Sequence, residues 1–109
     1  MIRQRQKQPD EILNHFVYRL KDRLGEHIKQ IVLFGSRARG DAVPDSDYDC
    51  LAVVDVVSLN ITDAIDEIAG DFLYQHSLVF SVIPVSEERH ARQIDNPFFM
   101  NIRKEGILL

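Results

Sequence analysis

Three short runs of branched and aromatic apolar residues, IVLF (31–34), CLAVVDVV (50–57) and LVFSVIPV (78–85), set the terms on which this chain can fold. Each is too short for an ordinary helix and is bounded by glycine, proline or polar residues, so each predicts a buried strand. Pro84 puts the end of the third run at a sheet edge or a bulge. Between the second and third runs, Ile65, Ile68, Ala69, Phe72 and Leu73 recur at helical period, with Thr62 placed to cap the helix. Gly70 weakens that helix by ~1 kcal/mol without breaking it. Strand, helix and strand in this order predict a right-handed parallel crossover, and the shorter connection before the second strand lets the first two strands be neighbours. Upstream, Ile12, Leu13, Phe16, Val17, Leu20 and Leu24 form one helical stripe between Pro9-Asp10 and Gly25. Downstream, Ser86 can cap a short helix through Ile94. Asn96-Pro97 then breaks it, and FFMNIRKEG makes a last amphipathic turn or two closed by Gly106. The order α-β-β-α-β-α-α predicts an α/β fold with a small mixed three-stranded sheet flanked by helices. Residues 1–9 read as a flexible polar tail and 10–109 as one domain.

A chain of 109 residues buries roughly 65% of its unfolded surface, enough for one modest core. Three strands are then incompletely covered, which predicts an exposed apolar face and with it a protein partner or an oligomer. Seventeen acidic against thirteen basic residues leave a net charge of −4, which argues against an extended nucleic-acid surface while leaving room for a local basic cluster. Cys50 is the sole cysteine, so an internal disulfide and a cysteine-rich zinc site are both excluded, and a reducing, cytoplasmic setting is the simplest expectation. No apolar run approaches the ~20 residues that span a bilayer, so no membrane association is expected.

The most informative stretch is FGSRARGDAVPDSDYDC (34–50), which joins the first strand to the second. Gly35 and Ser36 open a turn directly after a strand. A glycine there lets backbone N–H groups approach a ligand closely, and the hydroxyl adds a donor, a combination suited to phosphate oxygens. Arg37 and Arg39 add permanent charge and planar donors that match phosphate geometry. Asp47 and Asp49 stand two apart at the start of a strand, so their carboxylates share a face with Cα atoms ~6.6 Å apart. Two like charges held this way are relieved by a divalent cation, and hard oxygen ligands select Mg²⁺ or Mn²⁺. Tyr48 between them points the opposite way, into packing. Together the stretch reads as a site for a metal and a triphosphate.

Two other readings of these residues fail. Gly35 and Gly40 have P-loop spacing, but Asp41 and Ala42 stand where Lys and Ser/Thr are required. Asp45, Asp47 and Asp49 imitate the start of an EF-hand loop, yet Cys50 replaces its glycine and Val56 its closing glutamate.

Gly35-Ser36, ten residues, then Asp47-x-Asp49 resembles the Gly-Ser-x10-Asp-x-Asp signature of the polymerase-beta-type nucleotidyltransferase superfamily, above all its minimal single-domain members. The likeness covers nearly the whole chain, from the leading helix to the closing ones. It implies a minimal nucleotidyltransferase fold over 10–109 and transfer of a nucleoside monophosphate, AMP from ATP, to a hydroxyl with release of pyrophosphate. It further implies Mg²⁺ as cofactor, ATP or another NTP as substrate, and an HEPN-family toxin as partner, with this chain as the antitoxin that modifies it. Carried over by position, the Gly35 backbone and Ser36 would hold the β- and γ-phosphates, and Asp47 and Asp49 would ligate the metal. Arg37 and Arg39 fall outside the signature, and their phosphate role is inferred from charge.

The resemblance also exposes a departure. Active members place a third carboxylate on a later strand. Asp55 has the parity of Asp49 but lies roughly 20 Å along the strand, too far to share a metal. The third run carries no acid, and Ser81 is expected at the third-carboxylate position. A general base missing from such a site costs 10²–10⁴-fold in rate, roughly. The alternative function is therefore a degenerate member that binds and occludes a toxin without transfer. An enzyme acting on a small molecule ranks last, because the chain has no second domain to hold an acceptor. His15, His27, His76 and His90 form no ligand pair in the sequence, and Cys50 reads as a small buried hydrophobe. Phe98, Phe99 and Ile102 divide evenly between core packing and a docking surface.

Overall fold

The computed structural model describes residues 2–4 and 10–109. The chain runs β1 (Arg3–Gln4), α1 (Glu11–Leu24), a 3-10 turn (Gly25–His27), β2 (Ile28–Phe34), α2 (Ser36–Arg39) and β3 (Tyr48–Val54). It continues through α3 (Leu59–His76), β4 (Phe80–Ser86), α4 (Glu87–Arg92), α5 (Pro97–Glu105) and β5 (Ile107–Leu108). One mixed sheet has the order β1-β5-β2-β3-β4. The α/β architecture expected from the three apolar runs is present, and β3 and β4 are parallel across α3. β2 pairs antiparallel with β3. Pro84 sits in β4, an edge strand of the sheet, where its missing N–H costs no ladder bond on the open side.

The sheet departs from expectation at its other edge. β1 and β5, two residues each, extend the three main strands, with Arg3 beside Ile107 and Gln4 beside Leu108. Segments this short carry no readable period. Ile2, Arg3 and Gln4 belong to the expected tail, yet Ile2 packs against the Val32, Leu51 and Phe99 cluster and Arg3 and Gln4 pair in the sheet; residues 1 and 5–9 of that tail lie outside the described residues.

Capping residues set the helix ends. The Asp10 side chain accepts from the Leu13 N–H at 2.9 Å to start α1, and Gly25 ends it. α3 begins a turn before Thr62, with Ser58 as its cap accepting from the Ile61 N–H. Thr62 instead donates its hydroxyl to the Leu59 carbonyl, 3.1 Å away. The buried stripe of α3 is accordingly Ile61, Ala64, Ile65, Ile68 and Phe72, while Leu73 is exposed. Ser86 caps α4 as expected, but the helix stops at Arg92, before Ile94. Asn96 and Pro97 open α5.

The pleat divides the core between two faces. Ile31, Leu33, Tyr48, Cys50, Val54 and Phe80 face α1 and α3, where Phe16 stacks on Phe80 and Phe80 on Tyr48. Val32, Leu51, Val53 and Val85 face the other way and pack on Phe99 and Ile102 of α5. That second cover is narrow. Phe98 and Met100 stay exposed, as does Ile83 on β4, which fits the expectation of an incompletely covered sheet. Because Tyr48 faces α1 and α3, Asp49 must face the α5 side. Among the described residues no helix is long and apolar enough to cross a membrane.

Candidate active site

β2 ends at Phe34, directly beside Asp49 on β3. The next residue, Gly35, turns the chain with φ of 76°, in the left-handed region that side chains rarely enter. A side chain would also be blocked in space: a Cβ on Gly35 would collide with the Asp49 carboxylate oxygen Oδ2. The glycine thus brings the backbone of the turn against the acid of the neighbouring strand. Ser36 opens α2, whose Ala38 and Arg39 N–H groups donate to the Gly35 carbonyl at 3.0 Å. In this way Gly35, Ser36, Asp49 and Arg39 gather at one end of the sheet, on its α5 side.

Asp47 immediately precedes β3 and is exposed, whereas Asp49 lies within it and is half-buried. Burial pushes the Asp49 carboxyl above its ordinary range, and the charge of Asp47 pushes it further, against the opposing pull of Arg39. The net effect at Asp49 is a carboxyl held above its ordinary range despite Arg39. Among the described residues no group of three or more His, Cys, Asp or Glu could hold a metal ion. The register explains this on the β4 side, where Asp49 lies beside Ser81, the residue expected at the third-carboxylate position. Asp47 and Asp49 are hard oxygen ligands of the kind that would hold a cation such as Mg²⁺, and the charge of Arg39 offsets the crowding of Asp49 only in part.

The two arginines part company. Arg37 donates through Nε and Nη2 to the Ser46 carbonyl at 3.2 and 2.9 Å, and through Nη2 to the Pro44 carbonyl at 3.0 Å. Its guanidinium lies 4.2 Å from the centre of the Tyr48 ring. Arg37 therefore staples the 43–46 loop that delivers Asp47. Tyr48 is packed as expected: its hydroxyl donates to Asp10 Oδ2 at 2.8 Å, and burial with that carboxylate pushes it up to about 12. Arg39 is exposed and pairs with Glu105 at 3.2 Å and Asp41 at 3.4 Å. Those partners, Glu105 first, raise its pKa further.

Glu105 is the site residue that sequence reasoning missed. It ends α5, and one carboxylate oxygen accepts from the Gly35 N–H at 3.1 Å while the other accepts from Arg39. One local signal existed. A carboxylate in the last turn of a helix opposes the macrodipole, which favours cations such as its neighbours Arg103 and Lys104. Asp55, by contrast, lies beyond the far end of β3 and contacts His27 at 2.8 Å. Cys50 is fully buried on the opposite face from Asp49, and burial raises its thiol to about 12, which suits packing and not nucleophilic attack.

Comparison with known proteins identifies the family and the fold. The family model of the nucleotidyltransferase domain matches residues 13–103. A candidate protein adenylyltransferase of Methanocaldococcus jannaschii is 35% identical over 100 residues, covering 92% of this chain and 96% of its own. A second from the same organism is 30% identical over 100 residues, covering 89% of this chain and 68% of its own. Among solved structures, a candidate nucleotidyltransferase from Sulfolobus solfataricus superposes with a TM-score of 0.58 at 19% identity, over 90% of this chain and 76% of that one. A chain of the toxin–antitoxin complex MntA–HpeT, bearing a substitution, gives a TM-score of 0.63 at 20% identity, over 94% and 72%. A toxin–antitoxin structure with AMP-PNP gives 0.59 at 20% identity, over 87% and 69%. The match along nearly all of the sequence, joined to the turn and the acid pair at its centre, settles the family: this chain belongs to the nucleotidyltransferase domain proteins.

Proposed function

We propose that this nucleotidyltransferase binds a nucleoside triphosphate, ATP, with Mg²⁺ and transfers AMP to a hydroxyl of a partner protein, an HEPN-family toxin that it thereby neutralises in the cytoplasm. The observation that carries the reading is the contact between turn and acid. Asp49 occupies the space a Gly35 side chain would need, so phosphate donors and metal-type carboxylates are held within one substrate's reach. The choice of AMP and of a protein acceptor is supported by the candidate adenylyltransferases it resembles, and the toxin by the folds of the toxin–antitoxin complexes.

In this reading the Gly35 N–H, the Ser36 hydroxyl and Arg39 hold the β- and γ-phosphates, and Asp47 and Asp49 hold the cation. Arg37 contributes indirectly, by fixing the loop that positions Asp47. Mg²⁺, when bound, neutralises phosphate charge and aligns nucleophile with leaving group. The acceptor oxygen forms a bond to the α-phosphorus, the bond from that phosphorus to the bridging oxygen breaks, and pyrophosphate leaves. The hydroxyl proton passes to water or to a group of the partner, since Ser81 cannot ionise in place of the third carboxylate.

Ser81 beside Asp49 favours a second reading, in which the chain keeps the binding loop and neutralises by occlusion. Intact mass of the partner after incubation with this chain, Mg²⁺ and ATP separates the two, with Asp47→Ala/Asp49→Ala as control. A gain of one or more AMP units, absent from the control, establishes transfer. An unchanged mass with a stable complex, and neutralisation that survives loss of both aspartates, establishes occlusion.

A further inference from the structure

The Glu105 carboxylate already occupies what the proposed function reserves for a nucleotide. Its oxygens accept from different parts of the loop, among them the Gly35 N–H at 3.1 Å and the Arg39 guanidinium at 3.2 Å. Its position is built in. Phe99 and Ile102, on the same helix, are buried against Val32, Leu51, Val53 and Val85. Directly after Glu105, Gly106 lies so close to the Ile102 carbonyl and the Val32 side chain that a Cβ there would collide with both. Ile107 and Leu108 then pair with Leu33 and Val32 of β2. The backbone on both sides of Glu105 is thereby held near the end of β2, and its side chain is 27% exposed.

We propose that Glu105 is an internal competitor of the triphosphate, a carboxylate that nucleotide must displace from the Gly35 N–H and Arg39 before it binds. This rests on the nucleotide reading above and adds its regulation. A phosphate oxygen makes the same charge-assisted bonds as a carboxylate, so binding is an exchange of anions with little net gain at these two donors. Nucleotide affinity is thereby held down. A partner that draws the Glu105 side chain away raises that affinity without touching the nucleotide.

The test is titration of the full-length chain with ATP and with inorganic tripolyphosphate, which carries the phosphates without a base. Wild type, Glu105→Gln, Glu105→Ala, Arg39→Ala and the Glu105→Ala/Arg39→Ala double variant are compared. Loss of a partly exposed charged pair and its repulsion of phosphate predicts that Glu105→Ala binds both ligands about three- to tenfold more tightly. Glu105→Gln, which keeps the size and one acceptor, falls between, and covers the case in which the alanine variant does not fold. In the Arg39→Ala background the gain from Glu105→Ala shrinks, because the two residues share an interaction. Unchanged or weaker binding in a folded Glu105 variant overturns the proposal. Absence of binding in every form overturns the nucleotide reading and the proposal with it. The Gly35 amide resonance separates these failures: its shift on Glu105→Ala without ligand reports the contact itself, whatever the nucleotide does.

Discussion

Two carboxylates mark opposite ends of β3, six residues apart and of the same parity, and the fold treats them in opposite ways. At one end Asp55 accepts from His27 and from the Val56 N–H, and those bonds, the histidine's first, hold it below the ordinary carboxylate range. At the other end Asp49 is desolvated, crowded by Asp47, and held above that range. The structure satisfies the first and leaves the second in deficit. Carboxyls perturbed in this way cluster at functional sites. The same strand thus separates an acid that serves the fold from one whose surroundings disfavour its charge.

The largest test of that contrast is Asp49→Asn. Loss of a metal carboxylate removes several kcal/mol of charge stabilisation, so AMP transfer falls about 100-fold or more. Thermal melting of the metal-free variant shows no loss of stability, since the substitution removes an unfavourable charge. Transfer within about tenfold of wild type would show that Asp49 does not hold the metal.

Gly35→Ala comes next. It forces a side chain into a φ of 76° and drives a methyl group into Asp49, so urea denaturation should report a loss of about 2–4 kcal/mol. The loss should shrink in an Asp49→Ala background, where the colliding oxygen is gone. If both backgrounds lose equally, strain in the turn and not contact with Asp49 explains the glycine.

Much of this was legible in the chain because it is local. The strand runs, the caps at Asp10 and Ser86, and the Gly35-Ser36 and Asp47-x-Asp49 spacing all rest on neighbours in sequence. Register followed from the resemblance closely enough to bring Ser81 beside Asp49. What escaped was long-range. Glu105 meets Gly35 across 70 positions, and its side chain looks like any solvated helix end until α5 is laid on the sheet. Arg37 reads like Arg39 in the sequence, and only the fold shows that it bonds the carbonyls of Pro44 and Ser46 while Arg39 meets Glu105. Thr62 lost the cap to Ser58 because α3 extends a turn further than its apolar stripe required.

A smaller effect sharpens the comparison through pH. The ordinary carboxyl value is 3.8, and Asp49 is raised above it in the folded state. Its protonated form is then favoured by folding, so the stability associated with it is full below 3.8 and is lost as pH rises through the folded value. Asp49→Asn should therefore match wild type in acid and exceed it near neutrality, by less than about 1 kcal/mol because Asp49 is partly solvated. Adding Mg²⁺ with ATP should raise the melting temperature of wild type but not of the variant, by ligand linkage. A variant less stable than wild type at neutral pH would contradict the deficit.

The smallest effect is the mirror image at the other end. Asp55 is lowered below 3.8, so its contribution is present above 3.8 and disappears as pH falls through the folded value. Asp55→Asn should be less stable than wild type near neutrality, with the difference closing in acid, opposite in sign to the Asp49 curve. The side chains of His27 and Asp55 are 60% and 39% exposed, so solvent screens the pair and added salt should erase much of the effect. AMP transfer should be unchanged, because Asp55 lies roughly 20 Å along the strand from Asp49. Melting curves across pH for the two asparagine variants, read beside their transfer rates, decide the matter. Curves of the same sign, or a transfer defect in Asp55→Asn, would mean that the two ends of β3 do not divide structure from chemistry as their surroundings indicate.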